Sequence, residues 1–369
     1  MKLKLAWLAL FIGLIVAADG SIGYFCRSAG LREQLLDLKH PAMLLAKLDE
    51  LRGFSGRKVV LLGDSLVYGG ILEEFGDRNW REHDLAHAIA AECQVRWPNE
   101  PVRVMNLGIN GALPCDLERL MPLVSACGVD CIVFDIHLRP FSPDFADEKV
   151  RMARPWLDEF DLDGQGIAHW RPTIHDSSSA QSALSAWLAD VSATFRYRHL
   201  LQESIVQSSW AKRCAEWRRP PMVKSENDRE MQAMVKLGQL KHRLKQVTIE
   251  ETNPQVAAFQ RMLATLATTR QPYLIFYAKE NPDLVGQVFD SAKHAGLYAG
   301  LTQRIAQADS RQATFVPPVD ELRGEHFVDF THLNADGYRI LAKHLVAALP
   351  ATTDMPEALA RLVRSPAMD

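Results

Sequence analysis

With 369 residues, 47% of them hydrophobic and 24% charged, the chain has enough apolar material for a full core, in one large domain or two smaller ones. Its net charge of −3 excludes the global basic field that a whole-protein nucleic-acid partner needs. Six cysteines over this length exclude a disulfide scaffold. Cys127 and Cys131, with Cys93 and Cys115 nearby, leave room for one bridge in an exported protein, against the plainer expectation of buried thiols.

At the N-terminus, Lys2 and Lys4 precede an uncharged run from Leu5 to Ala18. Positive charge followed by about 7–15 apolar residues describes a secretory signal, and Val16-Ala17-Ala18 offers a cleavage site. Extended past Asp19 to Phe25, the same segment is long enough to stay as a single membrane anchor. The anchor, over residues 1–25, is the expectation. Either way the lysines stay cytoplasmic and the rest of the chain is exported, to the periplasm or the cell surface. Residues 26–56 read as a helical lead-in, with leucines from Leu35 to Leu51 interrupted near Pro41.

The apolar run at 58–62 predicts a short buried strand, ended abruptly by Gly63-Asp64-Ser65. A helix over 81–96, a strand over 102–107, a helix near 116–127 and a strand over 131–136 follow. This alternation is that of an α/β domain with a parallel sheet and helices on both faces. Residues 141–253 break the rhythm and read as a helical insertion, a cap over the site. It carries Trp187, Trp210 and Trp217 and is locally basic, with Arg196, Arg198, Lys212, Arg213, Arg218 and Arg219. Such a surface suits a membrane or a partner, but the expectation is a solvated helix whose tryptophans pack on the main domain. The rhythm resumes with a helix over 254–268, a strand over 273–277, helix through 283–308, a strand over 313–316 and a closing helix over 335–349. Residues 351–369 form a C-terminal tail, and no dinucleotide or phosphate-loop motif occurs.

A serine at the carboxyl end of a parallel strand sits where open α/β sheets place ligands and nucleophiles. Serine hydrolysis also needs a base, a carboxylate to orient it, and donors for the oxyanion. Asp329 and His332, three apart before the last helix, can face one side of a turn and supply the first two.

Gly63-Asp64-Ser65-Leu66, together with Asp329-Phe330-Thr331-His332-Leu333-Asn334 and Gly337-Tyr338, resembles the GDSL/SGNH hydrolase superfamily. The resemblance covers residues 57–140 and 270–350 and leaves out the insertion. It implies a flavodoxin-like three-layer α/β/α fold and a cofactor-free, metal-free Ser-His-Asp mechanism on esters. Carried over, Ser65 is the nucleophile and first oxyanion donor, His332 the base and Asp329 its orienter. Gly111 is the second donor, with Gly108 as the fallback. The chain departs at the third block, where the family has Gly-x-Asn-Asp and this sequence reads Phe134-Asp135-Ile136-His137-Leu138-Arg139-Pro140. Arg139 falls near the place of the asparagine, with His137 two residues earlier, and Arg139 is a further oxyanion candidate. Losing one such donor costs roughly 10²–10³ in rate, so altered chemistry is expected rather than a dead site.

The expected function is cleavage of an O-acyl ester, a polysaccharide being one candidate substrate. Membrane-anchored acyl-transfer proteins of bacterial envelopes share the layout, which makes O-acyl transfer beside a multi-pass membrane acyltransferase the alternative. A carbohydrate-binding envelope protein that keeps the fold without catalysis is the non-enzyme reading. Asp64 either orients the catalytic turn or is an ordinary turn residue. His83 and His87 have helical metal-pair spacing but lack the accompanying Glu, so a surface helix is expected. His169 and His175 have no evident partner, and Asn334 is expected to stabilise the turn after His332.

Overall fold

Five short runs of the chain pair side by side, all parallel, into one sheet. The computed structural model describes residues 2–28, 38–77, 79–146, 152–172, 177–198, 226–269, 271–308 and 313–350. The sheet strands are β1 (Arg57–Leu62), β2 (Val102–Asn106), β3 (Cys131–Ile136), β6 (Tyr273–Tyr277) and β7 (Ala313–Val316). Between β3 and β6 lies a separate antiparallel hairpin, β4 (Phe160–Leu162) with β5 (Ala168–Trp170). The sheet order β2-β1-β3-β6-β7 reverses direction between β1 and β3. That reversal opens a crevice at their carboxyl ends.

The central strands are apolar at nearly every position because both faces are covered. Val60, Leu62, Ile132, Phe134, Ile275 and Tyr277 enter one core, against α2 (Pro41–Gly53), α5 (Pro114–Ser125), α8 (Pro254–Thr268) and α9 (Ser291–Gln307). Their neighbours Val59, Leu61, Cys131, Val133, Leu274 and Phe276 enter the other, against α4 (Leu85–Arg96) and α10 (Ala335–Ala348). Period-two alternation therefore splits each strand between two cores. The lead-in helix α2 is part of the wall, with Lys47 buried and donating to the Asn106 carbonyl at 2.5 Å. Cys93, Cys115, Cys127 and Cys131 are free thiols, and burial pushes Cys131 up to about 12.

Two expected helices are divided by aspartates that cap new ones. Asp84 interrupts the run at 81–96, and its Oδ1 accepts from the His87 amide at 2.8 Å to start α4. Asp290 does the same for α9 through the Lys293 amide at 2.7 Å.

The N-terminal segment forms one helix, α1 (Lys2–Ser28). Among the described residues, however, no helix is long and apolar enough to cross a membrane. The expected spanning anchor is therefore not supported. Asp19 accepts from Ser192 Oγ and the Ala193 and Thr194 amides, each at 2.8 Å, while the apolar residues from Leu10 to Val16 stay exposed. Ile22 packs on the core beside it.

In the insertion, α6 (Ser177–Val191) buries Ala186 and Ala189 and leaves Trp187 59% exposed, so this tryptophan does not pack on the main domain as expected. The small residues face inward and the large ones outward. Helix α7 (Glu226–Leu244) completes the described insertion. Trp210, Trp217, His175, the basic residues from Lys212 to Arg219 and the tail lie outside the described residues.

Asp84 gives a test of this packing. It is 2% exposed, and desolvation pushes its pKa from 3.8 to about 7 against opposing hydrogen bonds from the His87 and Ala86 amides. The folded state thus keeps a proton that the unfolded chain releases near pH 4. Stability should fall as pH rises from about 4 to about 7, by at most about 1.4 kcal/mol per unit. Asp84→Asn, which retains the cap, should flatten that slope and stand above wild type at pH ~7.5 in urea titrations.

Candidate active site

The crevice between β1 and β3 holds the Gly-Asp-Ser turn. A Cβ on Gly63 would lie 2.2 Å from Asp135 Oδ1 and 2.4 Å from Val67 Cγ2, so only glycine lets β1 end this close to β3. Asp64 Oδ1 then accepts the Leu66 amide at 2.9 Å, capping the one-turn helix α3 (Ser65–Tyr68). Gly69, with φ of 79°, ends that helix in the left-handed region. Ser65 is fixed at its first position, with its side chain at the rim of the sheet.

The second half of the site comes from the loop before α10. Asp329 Oδ1 accepts the Thr331 amide at 2.9 Å and the His332 amide at 2.8 Å, which folds the loop back on itself. Both Asp329 oxygens lie 2.8 Å from His332 Nδ1, and His332 Nε2 lies 2.8 Å from Ser65 Oγ. Asp329 is 4% exposed; desolvation raises its pKa, but the His332 ring together with the His332 and Thr331 amides outweighs that and holds the carboxyl below its ordinary range. Asn334 caps α10 through the Gly337 amide at 2.9 Å and donates to the Glu325 carbonyl at 2.7 Å.

The remaining predicted residues divide. The Gly108 amide is committed to Asn106 Oδ1 at 2.8 Å, and a Cβ there would meet the Tyr68 backbone nitrogen at 2.5 Å. Gly111 has φ of 78° and lies beside the Arg139 guanidinium, whose Nη2 would be 3.7 Å from a Cβ at that position. His137 Nε2 is 3.0 Å and Arg139 Nη1 is 3.6 Å from Asp64 Oδ2, so Asp64 both caps the turn and bonds the third block. One ligand atom each from Asp64, Asp135 and His137 lies within 4.8 Å of the others, a spacing a metal could use. Here the Arg139 guanidinium already places positive charge beside Asp64. His83 pairs with Asp77 at 2.6 Å on a separate turn from His87, and His169 meets Asp163 at 3.3 Å.

Several site residues were missed from sequence. The Asn281 amide donates to the Phe330 carbonyl at 2.8 Å, and its side chain donates to the Asp329 carbonyl at 3.3 Å, clamping the histidine loop to the end of β6. The Asn-Pro pair at 281–282, just past a strand end, was the available signal. Glu280 is buried in the cleft wall, bonded by Tyr277 Oη at 2.8 Å and His294 at 3.2 Å. Leu240, Arg243 and Leu244 of α7 form another wall, so the insertion does reach the site. The cleft that these residues share with Ser65, Asn110, Arg139 and His332 has a volume of about 340 Å3.

No protein-family model and no curated protein matches the chain. One similar solved structure is LAE5, an alpha/beta hydrolase enzyme from the metagenome of Lake Arreo, Spain, at 13% identity and a TM-score of 0.38, covering 81% of this chain and 97% of that one. Another is a variant of Axe2, an acetyl xylan esterase from Geobacillus stearothermophilus, at 12% identity and a TM-score of 0.38, covering 81% and 96%. Likenesses this distant carry nothing over to the chemistry of this chain.

Gly63→Ala tests the crevice directly. The added methyl overlaps Asp135 and Val67, so a loss of about 1–3 kcal/mol is expected in a denaturant titration. An unchanged midpoint would mean that β1 and β3 do not approach this closely.

Proposed function

We propose that the chain is an SGNH-type serine esterase that cleaves an O-acyl ester, with a carbohydrate as the alcohol portion. The observation that carries this reading is the unbroken path from Ser65 Oγ through His332 to Asp329, at 2.8 Å for each step. The order of the two motif blocks and their positions, after the first strand and before the last helix, support the family.

In the proposed reaction, Ser65 Oγ attacks the ester carbonyl and its proton passes to His332 Nε2. The buried Asp329 holds the Nδ1 proton and stabilises the imidazolium without taking the proton. The carbonyl electron pair moves onto oxygen, which accepts from the Ser65 and Gly111 amides and from the Arg139 guanidinium. His332 then protonates the departing alkoxide, leaving an acyl-enzyme. Water, deprotonated by His332, releases the acid and restores Ser65.

The carbohydrate assignment rests on the lining of the cleft. Asn110, Glu280 and Thr331 offer donors and acceptors for hydroxyls, while Ile71, Leu240 and Phe330 offer a short apolar wall for the acyl group. The charge and hydropathy of residues 2–18 support export, and we propose that the enzyme works outside the cytoplasmic membrane.

The deciding measurement is turnover of p-nitrophenyl acetate by wild type, Ser65→Ala and His332→Ala. Each substitution should lower kcat by at least ~10³ at similar KM. A wild-type protein with neither burst nor turnover on short acyl esters would instead favour a carbohydrate-binding role without catalysis.

A further inference from the structure

A second carboxylate–imidazole pair touches the nucleophile. Ser65 Oγ lies 3.3 Å from Asp64 Oδ2, which is itself 3.0 Å from His137 Nε2. The serine hydroxyl therefore faces two acceptors, His332 and Asp64. Only transfer to His332 gives a useful nucleophile, because a carboxylate held strongly acidic is a poor base.

We propose that His137 is a positioning residue: with Arg139 it engages Asp64, so that the Ser65 proton has one effective acceptor, His332, and the space beside Ser65 carries positive charge for the oxyanion. This rests on the serine-esterase reading above. Asp64 accepts the Leu66 amide on Oδ1 and has His137 and Arg139 on Oδ2. The His137 contact at 3.0 Å is shorter than the Ser65 contact at 3.3 Å on the same oxygen, and Ser65 Oγ lies closer to His332 Nε2, at 2.8 Å, so Asp64 is the weaker of the two acceptors.

The charges follow from burial. Desolvation raises the pKa of Asp64, but His137 and Arg139 override it and keep the group ionised. Asp135 is pushed up, first by burial and then by the Asp64 charge, into the neutral acid. Its surroundings explain this: Leu113, Phe141, Phe259 and Met262 line the same small cavity, and among the described residues Asp135 Oδ2 has no hydrogen-bond partner to hold a negative charge. Burial lowers the His137 pKa, but the Asp64 carboxylate 3.0 Å from its Nε2 outweighs that and raises it, which favours the imidazolium. One anion then faces two cations. The other ionisable groups near the turn are committed elsewhere. Asp329 belongs to His332, and the Tyr338 hydroxyl donates to the Leu66 carbonyl at 2.8 Å and stays protonated. On attack, the Oγ–carbon bond forms, the carbonyl pair moves to oxygen, the proton goes to His332, and Asp64 takes none.

The test combines kinetics with a titration that needs no activity. In the full chain, His137→Ala should lower kcat on p-nitrophenyl acetate roughly 10–10²-fold with KM within about threefold. His137→Gln, which keeps a neutral donor to Asp64, should recover part of that loss. Asp135→Asn, an amide in place of a neutral acid, should stay within about threefold of wild type. By NMR in the Ser65→Ala protein, the His137 ring should titrate above the ordinary histidine range. Wild-type kcat in His137→Ala, or a neutral His137 ring at pH ~6, would overturn the proposal. So would a loss in Asp135→Asn as large as in His137→Ala. If wild type turns over no ester, the esterase reading fails on its own, and the titration still decides the charge arrangement.

Discussion

The parallel register of β1 on β3 is the constraint from which the site follows. Leu62 pairs with Phe134, so the two strands end level and Gly63 meets Asp135 side on. Nothing larger than a hydrogen fits between them. The consequence is that the turn after β1 and the segment after β3 share one crevice, and the charged residues of the third block lie against the serine turn. A slip of one residue would exchange the two cores of β1, Val59 and Leu61 for Val60 and Leu62, and would move Ser65 away from the rim. The apolar pattern of the strands thus protects the position of a polar side chain.

The rest of the site is carried to that crevice by hydrogen bonds rather than by covalent proximity. Asn281 ties the histidine loop to β6, and Tyr338 reaches from α10 to the Leu66 carbonyl of α3. Both are buried, and each joins segments far apart in sequence. Such bonds are modest individually, but a buried partner left unpaired would cost about 1–3 kcal/mol, which keeps the two halves in one geometry.

Much of the scaffold was legible in the sequence. Strands 131–136, 273–277 and 313–316 and the helix over 254–268 fall where short apolar runs and helical spacing put them. Parallel strands buried on both faces are the easiest elements to read. The divided helices were not legible, because Asp84 and Asp290 look like surface aspartates until their side chains are seen to cap the next helix. Ser65, Asp329 and His332 were readable as two blocks in order. Their supports were not: Asn281, Glu280 and the walls from α7 act through geometry that spacing does not encode. The apolar run of the N-terminal segment was legible, whereas the bonds from Ser192, Ala193 and Thr194 to Asp19 were not.

Helix α7 brings Leu240, Arg243 and Leu244 to a cleft whose reactive groups all sit on the ends of sheet strands or on the loops that follow them. The wall and the chemistry are therefore separate parts of the chain. Residues 141–253 leave the sheet after β3 and return before α8, yet Phe141, Leu157, Trp170 and Tyr197 are buried in the same core as Val60, Leu62 and Phe134. The segment that walls the cleft is thus rooted in the packing that sets the β1–β3 register, so a change in its buried side chains would be felt at the serine turn as well as at the wall.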